Sequence, residues 1–412
     1  MPIAPFPRTD GPTILSIAAS LRRASSACRP ARLQSLLAAL LGGLSLGVAA
    51  AAPFDTAEVS NPRASFIDVA QRSKLLREPA DPTLRASLPK ATDCAAEPAL
   101  EAPRGAMVIP PRYASGNHGP LHPDYEATVK LYRDFESISA TLANQYVASG
   151  EPRFAQCLLD HLERWAKADA LLGYEISTAK GASNQAWYQA EWSASAAALA
   201  LSQVVAEPSL DQARLKAVID WLHRVSKKQI SYPGGENTCC NNHAYWRGLH
   251  ATMIGVLAND NDLFRWGLGR YALAIEHMAA DGSWPLEMAR HEQALHYQNY
   301  ALLPLVMIAE IAAQQGVDLY AHKVDGRDLH LAIDFLRKTL AAHQANPPSD
   351  GKKMDLRAFV AGRGDQAWAE FYRARFAKDP LGLLGKRIFN ARTGGHVTML
   401  VYRPAGDAGT RP

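Results

Sequence analysis

The 412-residue sequence has almost no net charge and only five cysteines, which limits the partners and cofactors that it could use. Lys and Arg total 44 against 40 Asp and Glu, and five arginines and one aspartate in the first 52 residues account for the whole excess of +4. The remainder is close to neutral, which argues against a nucleic-acid partner and means that a polyanionic ligand would need a locally basic cleft. No cysteines have the Cys-x-x-Cys spacing of zinc sites, so we predict no bound metal.

Other absences narrow the class of protein further. Proline and glycine are scattered along the chain, which argues against a low-complexity protein, and there is no strict internal repeat. No pair of acidic residues stands out as the two opposed carboxylates that a glycoside hydrolase requires. With 48% hydrophobic and 20% charged residues, the composition is that of a globular protein long enough to bury a large core.

The first 52 residues have the features of a secretory signal peptide. A basic lead is followed by an apolar run from Leu33 to Val48 and by small residues from Ala49 to Ala52. The apolar run is short for a membrane span, so an uncleaved anchor is the less favoured alternative. Cys28 precedes the run and is therefore not a lipoprotein cysteine. We predict a periplasmic or secreted protein without membrane contact after cleavage, with 53–412 as a single domain.

Amphipathic helical patterns fill most of the chain after Tyr125. They lie near 125–148, 152–171, 184–205, 209–228, 241–258, 261–280, 291–315, 327–344 and 365–377. Short breaks make consecutive helices antiparallel neighbours, and several such hairpins around one axis form an α/α toroid, although a linear solenoid fits the same pattern. The tail from Gly394 to Tyr402 predicts one short strand.

A segment rich in proline and glycine at 108–123 cannot form a continuous helix. We predict a long exposed loop there. Loops of this length in compact domains are usually lids or binding loops, and an ordinary surface loop is the alternative.

Polar and aromatic side chains are concentrated between Thr238 and Tyr300, at the ends of apolar helical runs. Asn242 and His243 open one run, and Arg290 and Tyr297 open another. The latter two are two helical turns apart, so both can face a shared point.

These residue types together suit β-elimination on a uronate polymer. An amide and a guanidinium can neutralise the C5 carboxylate, which acidifies the C5 proton. A phenol or imidazole can remove that proton, and an acid can protonate the O4 leaving group. No metal or other cofactor is needed. Taken singly, each residue could instead be structural: a helix cap, a core histidine, a solvated arginine and a packing tyrosine.

The runs NNHAYW, DGSWPLEMAR and ALHYQNYALLPLVMIAE resemble those of the helical-toroid alginate lyases, the poly(β-D-mannuronate) lyases. The resemblance extends from about Cys94 to Phe376. It implies an all-α fold, an incomplete (α/α) toroid or barrel of antiparallel hairpins with a lid loop and a short C-terminal strand. It also implies an active site of four residues, namely Asn242, His243, Arg290 and Tyr297.

The resemblance further implies substrate-binding roles for two groups of residues. Arg112 and Tyr113 match an Arg-Tyr pair in the family's mobile lid. Gln185, Tyr188 and Trp192, which share one face of a predicted helix, match sugar-binding positions, although a core stripe is the alternative. Trp246 and Tyr300 are assigned to substrate binding in the same way.

An even number of cysteines remains after signal cleavage, which favours disulfides in an exported chain. The resemblance implies the pairs Cys94–Cys157 and Cys239–Cys240, and the vicinal pair would fix the backbone just before Asn242. The first pair closes a long loop.

The predicted proton transfers centre on Tyr297. In mannuronate the C5 proton and O4 lie on one side, so Tyr297 could serve as both base and acid in a syn elimination. Arg290 and His243 would favour its phenolate. Glu287 is interpreted as a salt-bridge partner of Arg290, and His243 as part of the carboxylate clamp or as the base for guluronate.

Three functions are consistent with the sequence. The first is a mannuronate-preferring alginate lyase that acts endolytically in the periplasm, and the second is a broad-specificity polyuronate lyase acting on glucuronan or hyaluronan. The third is a non-catalytic polysaccharide-binding or export scaffold, against which the intact set of four residues argues. The expected partner is an anionic polysaccharide, and a monomer is expected.

Overall fold

The computed structural model describes residues 54–90, 92–94, 99–115, 119–179, 183–235, 238–345, 354–384 and 387–404. The predicted signal peptide lies outside these residues. The helices are α1 (Val69–Arg77), α2 (Pro82–Ser87), α3 (Tyr125–Ser149), α4 (Pro152–Lys167), α5 (Gln185–Val204), α6 (Gln212–Ile230), α7 (Asn242–Ala258), α8 (Asn261–Glu276), α9 (Pro285–Met288), α10 (Ala294–Gln314), α11 (Leu329–Ala345), α12 (Ala367–Phe376) and α13 (Val397–Val401). Two strands follow α12, β1 (Phe389–Asn390) and β2 (Gly395–His396).

The long helices form two concentric layers. In the inner layer, α3 contacts α5, α5 contacts α7, α7 contacts α10 and α10 contacts α12. The helices between them in sequence, α4, α6, α8 and α11, pack against the outside of this layer. This arrangement confirms the predicted all-α toroid of helical hairpins.

Burial follows the sequence pattern of each layer. Every residue of α5 from Gln189 to Val204 is buried, as expected for a helix that is apolar on all sides. In the outer helix α4 the buried residues recur every three or four positions, as Phe154, Leu158, Leu162 and Trp165. The outer helices are amphipathic because their other face meets solvent.

Side-chain caps begin α7 and α8. Asp260 begins α8 by accepting a hydrogen bond from the Leu263 N–H at 2.9 Å. Asn241 begins α7 in the same way, its side-chain oxygen accepting from the His243 N–H at 3.0 Å. The second cap fixes the first turn of α7, where Asn242 and His243 lie.

Glycines bring α7 and α8 unusually close together. A Cβ atom on Gly255 would lie 2.5 Å from the Phe264 backbone nitrogen, and one on Gly267 would lie 2.1 Å from the Thr252 hydroxyl. A Cβ on Gly248 would lie 2.7 Å from the Arg270 side chain. The two helices therefore pack backbone to backbone, which holds α7 in a fixed position.

The C-terminal tail differs from the predicted strand over 394–402. Only Gly395–His396 is a strand, pairing antiparallel with Phe389–Asn390, and the chain then forms helix α13. Arg72 of α1 donates to the Met399 carbonyl at 2.6 Å and to the Tyr402 carbonyl at 2.8 Å. A helical turn satisfies its own backbone, and Arg72 supplies the donors that its last carbonyls lack.

Both predicted disulfides are present. Cys94–Cys157 joins the segment before α3 to α4 with a Cα–Cα distance of 6.2 Å, and Cys239–Cys240 immediately precedes the Asn241 cap. The two bridges differ in sequence separation, 63 residues against one.

We expect the double variant Cys94→Ala/Cys157→Ala to lose about 4 kcal/mol of unfolding free energy, because the long loop is no longer closed in the unfolded chain. Urea unfolding followed by circular dichroism measures this loss. The matched control is Cys239→Ala/Cys240→Ala, which opens no long loop and should lose far less. Equal losses in the two variants would contradict the loop-closure explanation.

Candidate active site

Three elements bring the four predicted active-site residues into one region. Asn242 and His243 lie in the first turn of α7, Arg290 precedes α10, and Tyr297 lies within α10. The Arg290 guanidinium carbon is 4.0 Å from the centre of the Tyr297 ring. The Tyr188 ring stacks on His243 with 3.9 Å between ring centres.

Arg290 and Tyr297 do not share a helix, contrary to the sequence prediction. Residues His291–Gln293 form a 3₁₀ turn, His291 has a left-handed φ of 52°, and α10 begins only at Ala294. The turn folds the chain back, so the guanidinium covers the face of the Tyr297 ring instead of projecting from the same helix face.

Asn242 is held by a buried carboxylate. Its backbone N–H donates to Glu287 Oε1 at 2.6 Å, and its Nδ2 lies 3.0 Å from both Oε1 and Oε2. Asn242 Oδ1 is buried and has no hydrogen-bond partner among the described residues. The predicted role of Glu287 as a salt-bridge partner of Arg290 is therefore wrong, since its oxygens accept from Asn242.

Burial raises the pKa of Glu287 to about 7, while its hydrogen bonds from Asn242 and the nearby Arg290 charge oppose the shift. The side chain has no solvent exposure. Glu287 therefore titrates close to neutral pH.

His243 is oriented by a second buried carboxylate. Its Nδ1 lies 2.6 Å from Oε1 of Glu191, a residue of α5 that has no exposed surface. Arg247 Nη1 lies 3.8 Å from the other carboxylate oxygen. Because Nδ1 is engaged, Nε2 is the ring nitrogen left for a substrate.

Burial raises the pKa of Glu191, and the neighbouring His243 and Arg247 oppose this shift. Sequence analysis missed Glu191. A single acidic residue within the apolar helix α5 was the available signal, because such a group must find a partner.

Tyr297 is a neutral phenol in the free protein. Burial raises its pKa to about 12, although Arg290 and Arg112 act in the opposite direction. The expectation that neighbouring positive charge would favour the phenolate is therefore wrong for the free protein. Desolvation outweighs the two arginines.

The predicted lid residues approach Tyr297. Tyr113 pairs with Leu121 in an isolated antiparallel bridge, and the His122 N–H donates to the Arg112 carbonyl at 2.9 Å. Arg112 lowers the pKa of Tyr297, whereas Tyr113 raises it. The two ends of the loop are thus tied together beside the candidate site; its tip, at 116–118, lies outside the described residues.

The predicted sugar-binding residues have different environments. Tyr188 is half-buried against His243, and Gln185 is half-buried at the start of α5. Trp246 is fully buried, with its ring 5.3 Å from that of Tyr300. Burial places Trp246 behind the surface of the site, so the structure gives it a packing position.

A partly buried cation, Arg392, was also missed by sequence analysis. Arg392 Nε lies 2.7 Å from Oε2 of Glu136, and its guanidinium carbon lies 4.4 Å from the centre of the Trp192 ring. Desolvation lowers the pKa of Arg392, but Glu136 and Tyr300 together outweigh this effect and leave the pKa above its ordinary value. Arg392 lies between the last predicted helix and the strand predicted from Gly394 to Tyr402, and nothing in the sequence linked it to α5.

The site therefore combines an amide, an imidazole, a guanidinium and a neutral phenol, with more arginines nearby. Within the described ranges, no group of three or more His, Cys, Asp or Glu side chains is arranged to hold a metal ion. In the same part of the chain, no helix is long and apolar enough to cross a membrane.

Comparison with known proteins gives consistent matches. A family model described as alginate lyase matches residues 77–346. A polysaccharide lyase of Stenotrophomonas maltophilia is 33% identical over 61% of this chain and 71% of its own length. An alginate lyase of Pseudomonas aeruginosa is 29% identical over 69% of this chain and 77% of its own.

Solved structures match over most of the chain. Alginate lyase A1-III from Sphingomonas species A1 has 53% sequence identity and a TM-score of 0.79, covering 85% of this chain and 99% of its own. A histidine-to-alanine variant of that enzyme in complex with a tetrasaccharide has 52% identity and a TM-score of 0.81, covering 86% and 99%.

Proposed function

The chain belongs to the alginate lyase family and is a polysaccharide lyase, and from this premise we propose that it cleaves alginate by β-elimination with a preference for mannuronate. We propose that Asn242, His243, Arg290 and Tyr297 form its active site. The observation that carries this assignment is the Arg290 guanidinium stacked over the Tyr297 ring, beside the first turn of α7.

Two variants of the Sphingomonas enzyme, a histidine-to-alanine and a tyrosine-to-phenylalanine change, have each been solved with a tetrasaccharide. The two changed positions are as far apart in that sequence as His243 and Tyr297 are here. This spacing supports the assignment of both residues to the site.

In the proposed mechanism, Arg290 and Asn242 bind the C5 carboxylate and stabilise the negative charge that develops on it. Arg290 contributes a planar fork of N–H donors that matches a carboxylate. Glu191 holds the His243 ring so that Nε2 faces the substrate. The negative charge that forms on C5 when its proton leaves is thereby delocalised into a carboxylate that Arg290 and Asn242 already neutralise.

Tyr297 can transfer both protons although it is neutral. As the C5–H bond breaks, the phenol oxygen accepts that proton, and its own hydroxyl proton passes to O4 as the C4–O4 bond breaks. The C5 electron pair forms the C4–C5 double bond. The phenol is regenerated, so no free phenolate is required and the raised pKa of Tyr297 is compatible with both roles.

A second candidate is a broad-specificity polyuronate lyase. The carboxylate clamp recognises a group that every uronate carries, and one relative is described only as a polysaccharide lyase. Glucuronan and hyaluronan are therefore included in the test.

We also propose that the protein acts outside the cytoplasm, in the periplasm or after secretion. The basic and apolar leader supports export. The Cys94–Cys157 disulfide supports an oxidising compartment.

The substrate preference is tested by incubating the enzyme with polymannuronate, polyguluronate, glucuronan and hyaluronan in parallel. We expect ultraviolet-absorbing unsaturated ends to appear fastest with polymannuronate and to be unaffected by chelator. Similar rates on all four polymers would favour the second candidate. Loss of activity with chelator and recovery with a divalent ion would contradict the metal-free mechanism.

A further inference from the structure

The contact between Asn242 and Glu287 leaves the Asn242 amide turned the wrong way to donate a hydrogen bond to a substrate carboxylate. The amide nitrogen of Asn242 faces both oxygens of Glu287, so the opposite end of the amide is the acceptor Oδ1. That oxygen is buried and without a partner among the described residues. That oxygen cannot bind the C5 carboxylate of a uronate, because the amide oxygen and the carboxylate oxygens are all acceptors and none has a proton to donate.

A proton on Glu287 would remove this conflict. A neutral carboxyl group has one O–H donor, which the Asn242 Oδ1 can accept if the amide turns end for end. The other carboxyl oxygen continues to accept the Asn242 backbone N–H, which lies 2.6 Å away. Both N–H groups of the amide are then free to donate to the substrate, and every polar atom of the pair has a partner.

We propose that Glu287 takes up one proton from solvent when a uronate carboxylate binds, and that this proton lets the Asn242 amide present its N–H groups to the substrate. The proposal rests on the carboxylate-binding role assigned to Asn242 above. Glu287 is thus a positioning residue, since it acts on the substrate through Asn242.

The surroundings of Glu287 allow it to take up a proton near neutral pH. The carboxylate is fully buried, and among the ion pairs of the described residues none includes it. Arg290, from the turn after α9, lowers its pKa, and Tyr245, from α7, is the other titratable group that interacts with it. The resulting pKa of about 7 rises when a second carboxylate arrives, because two buried like charges disfavour each other.

The affinity for a uronate should decrease as the pH rises, because binding requires a protonated Glu287. Below about pH 7 Glu287 is already protonated and binding takes up no proton. Above it the proton must be acquired on binding, so the affinity for a uronate should fall by up to about tenfold per pH unit.

The test uses the Tyr297→Phe protein, which cannot complete cleavage, and a short mannuronate oligomer. Isothermal titration in buffers of different ionisation enthalpy counts the protons taken up per oligomer bound. We expect nearly one proton at about pH 8 and nearly none at about pH 6, given the pKa of Glu287. Binding without uptake at the higher pH would overturn the inference but leave the proposed function intact.

The matched variant adds Glu287→Gln, in which a glutamine N–H replaces the carboxyl O–H and can donate to Asn242 Oδ1 at every pH. We expect no proton uptake through Glu287, a nearly flat affinity between these pH values, and about tenfold tighter binding than the parent at about pH 8. A purely structural role for Glu287 predicts weaker binding by the same factor at both pH values. Undiminished uptake in the variant would assign the proton to the His243–Glu191 pair and overturn the inference.

Infrared difference spectroscopy of the parent provides an independent measurement if the glutamine variant fails to fold. Binding of the oligomer at about pH 8 should produce the carbonyl stretch of a neutral carboxyl group. Absence of that band would overturn the inference. Failure of any uronate oligomer to bind, together with absence of cleavage, would instead refute the proposed function.

Discussion

Replacing Tyr297 with Phe is expected to reduce cleavage of every polyuronate by at least about 1,000-fold, because one hydroxyl group carries both proton transfers. The change removes a single oxygen and keeps the ring that packs against Arg290, whose guanidinium carbon lies 4.0 Å from the ring centre. Binding of a mannuronate oligomer should therefore stay within a few-fold of the parent. Absorbance of unsaturated ends measures the first effect and calorimetry the second.

The control for this variant is Tyr271→Phe on α8. That hydroxyl donates to the Leu319 carbonyl at 2.8 Å, so its loss should cost about 1 kcal/mol of stability without changing turnover. Substantial cleavage of polymannuronate by Tyr297→Phe would move the base to His243. A loss of binding as large as the loss of cleavage would show that the hydroxyl holds the substrate instead of reacting with it.

Replacing Arg290 with Ala should lower kcat/KM on polymannuronate by about 100- to 1,000-fold, since it removes the main cation opposite the developing charge. Arg290→Lys keeps the charge but loses the planar pair of donors, so its activity should lie between those of the alanine variant and the parent. Steady-state kinetics on polymannuronate distinguish the three proteins.

Arg224→Ala is the matched surface control. Arg224 pairs with Asp169 at a largely exposed site on α6, and its loss should leave kcat/KM unchanged. If Arg290→Lys were as active as the parent, a point charge would suffice and a two-pronged carboxylate contact would not be required.

The fold was largely predictable because helical periodicity and chain breaks agree. The predicted run 125–148 is α3 at Tyr125–Ser149, and the run 241–258 is α7 at Asn242–Ala258. The inner helices α5 and α10 are buried on almost all sides, whereas the outer helix α4 is buried on one face, and the hydrophobic pattern of the sequence shows this difference. The tail was mispredicted as a strand because its alternation of apolar residues carried no information about the Arg72 side chain that terminates α13.

The sequence predicted four residues that the structure places in one region, but not the side chains that support them. Their supports come from distant segments: Glu191 is 52 residues from His243, and Glu287 is 45 from Asn242. A single sequence shows that such acids exist, but not which polar group each one meets. The direction of the Tyr297 pKa shift was wrong for the same reason, since burial depends on how the lid and α10 pack together.

The glycine contacts between α7 and α8 determine where this enzyme can be diversified. Most substitutions at Gly255 or Gly267 should prevent correct folding, because any larger residue meets the Phe264 backbone or Thr252. The loop between Tyr113 and Leu121 has no such restriction at Gly119, where an added Cβ meets no atom within 4 Å, although its positive φ of 98° still favours glycine. Laboratory evolution toward other uronates should therefore accumulate accepted changes around this loop and leave the α7–α8 contact untouched.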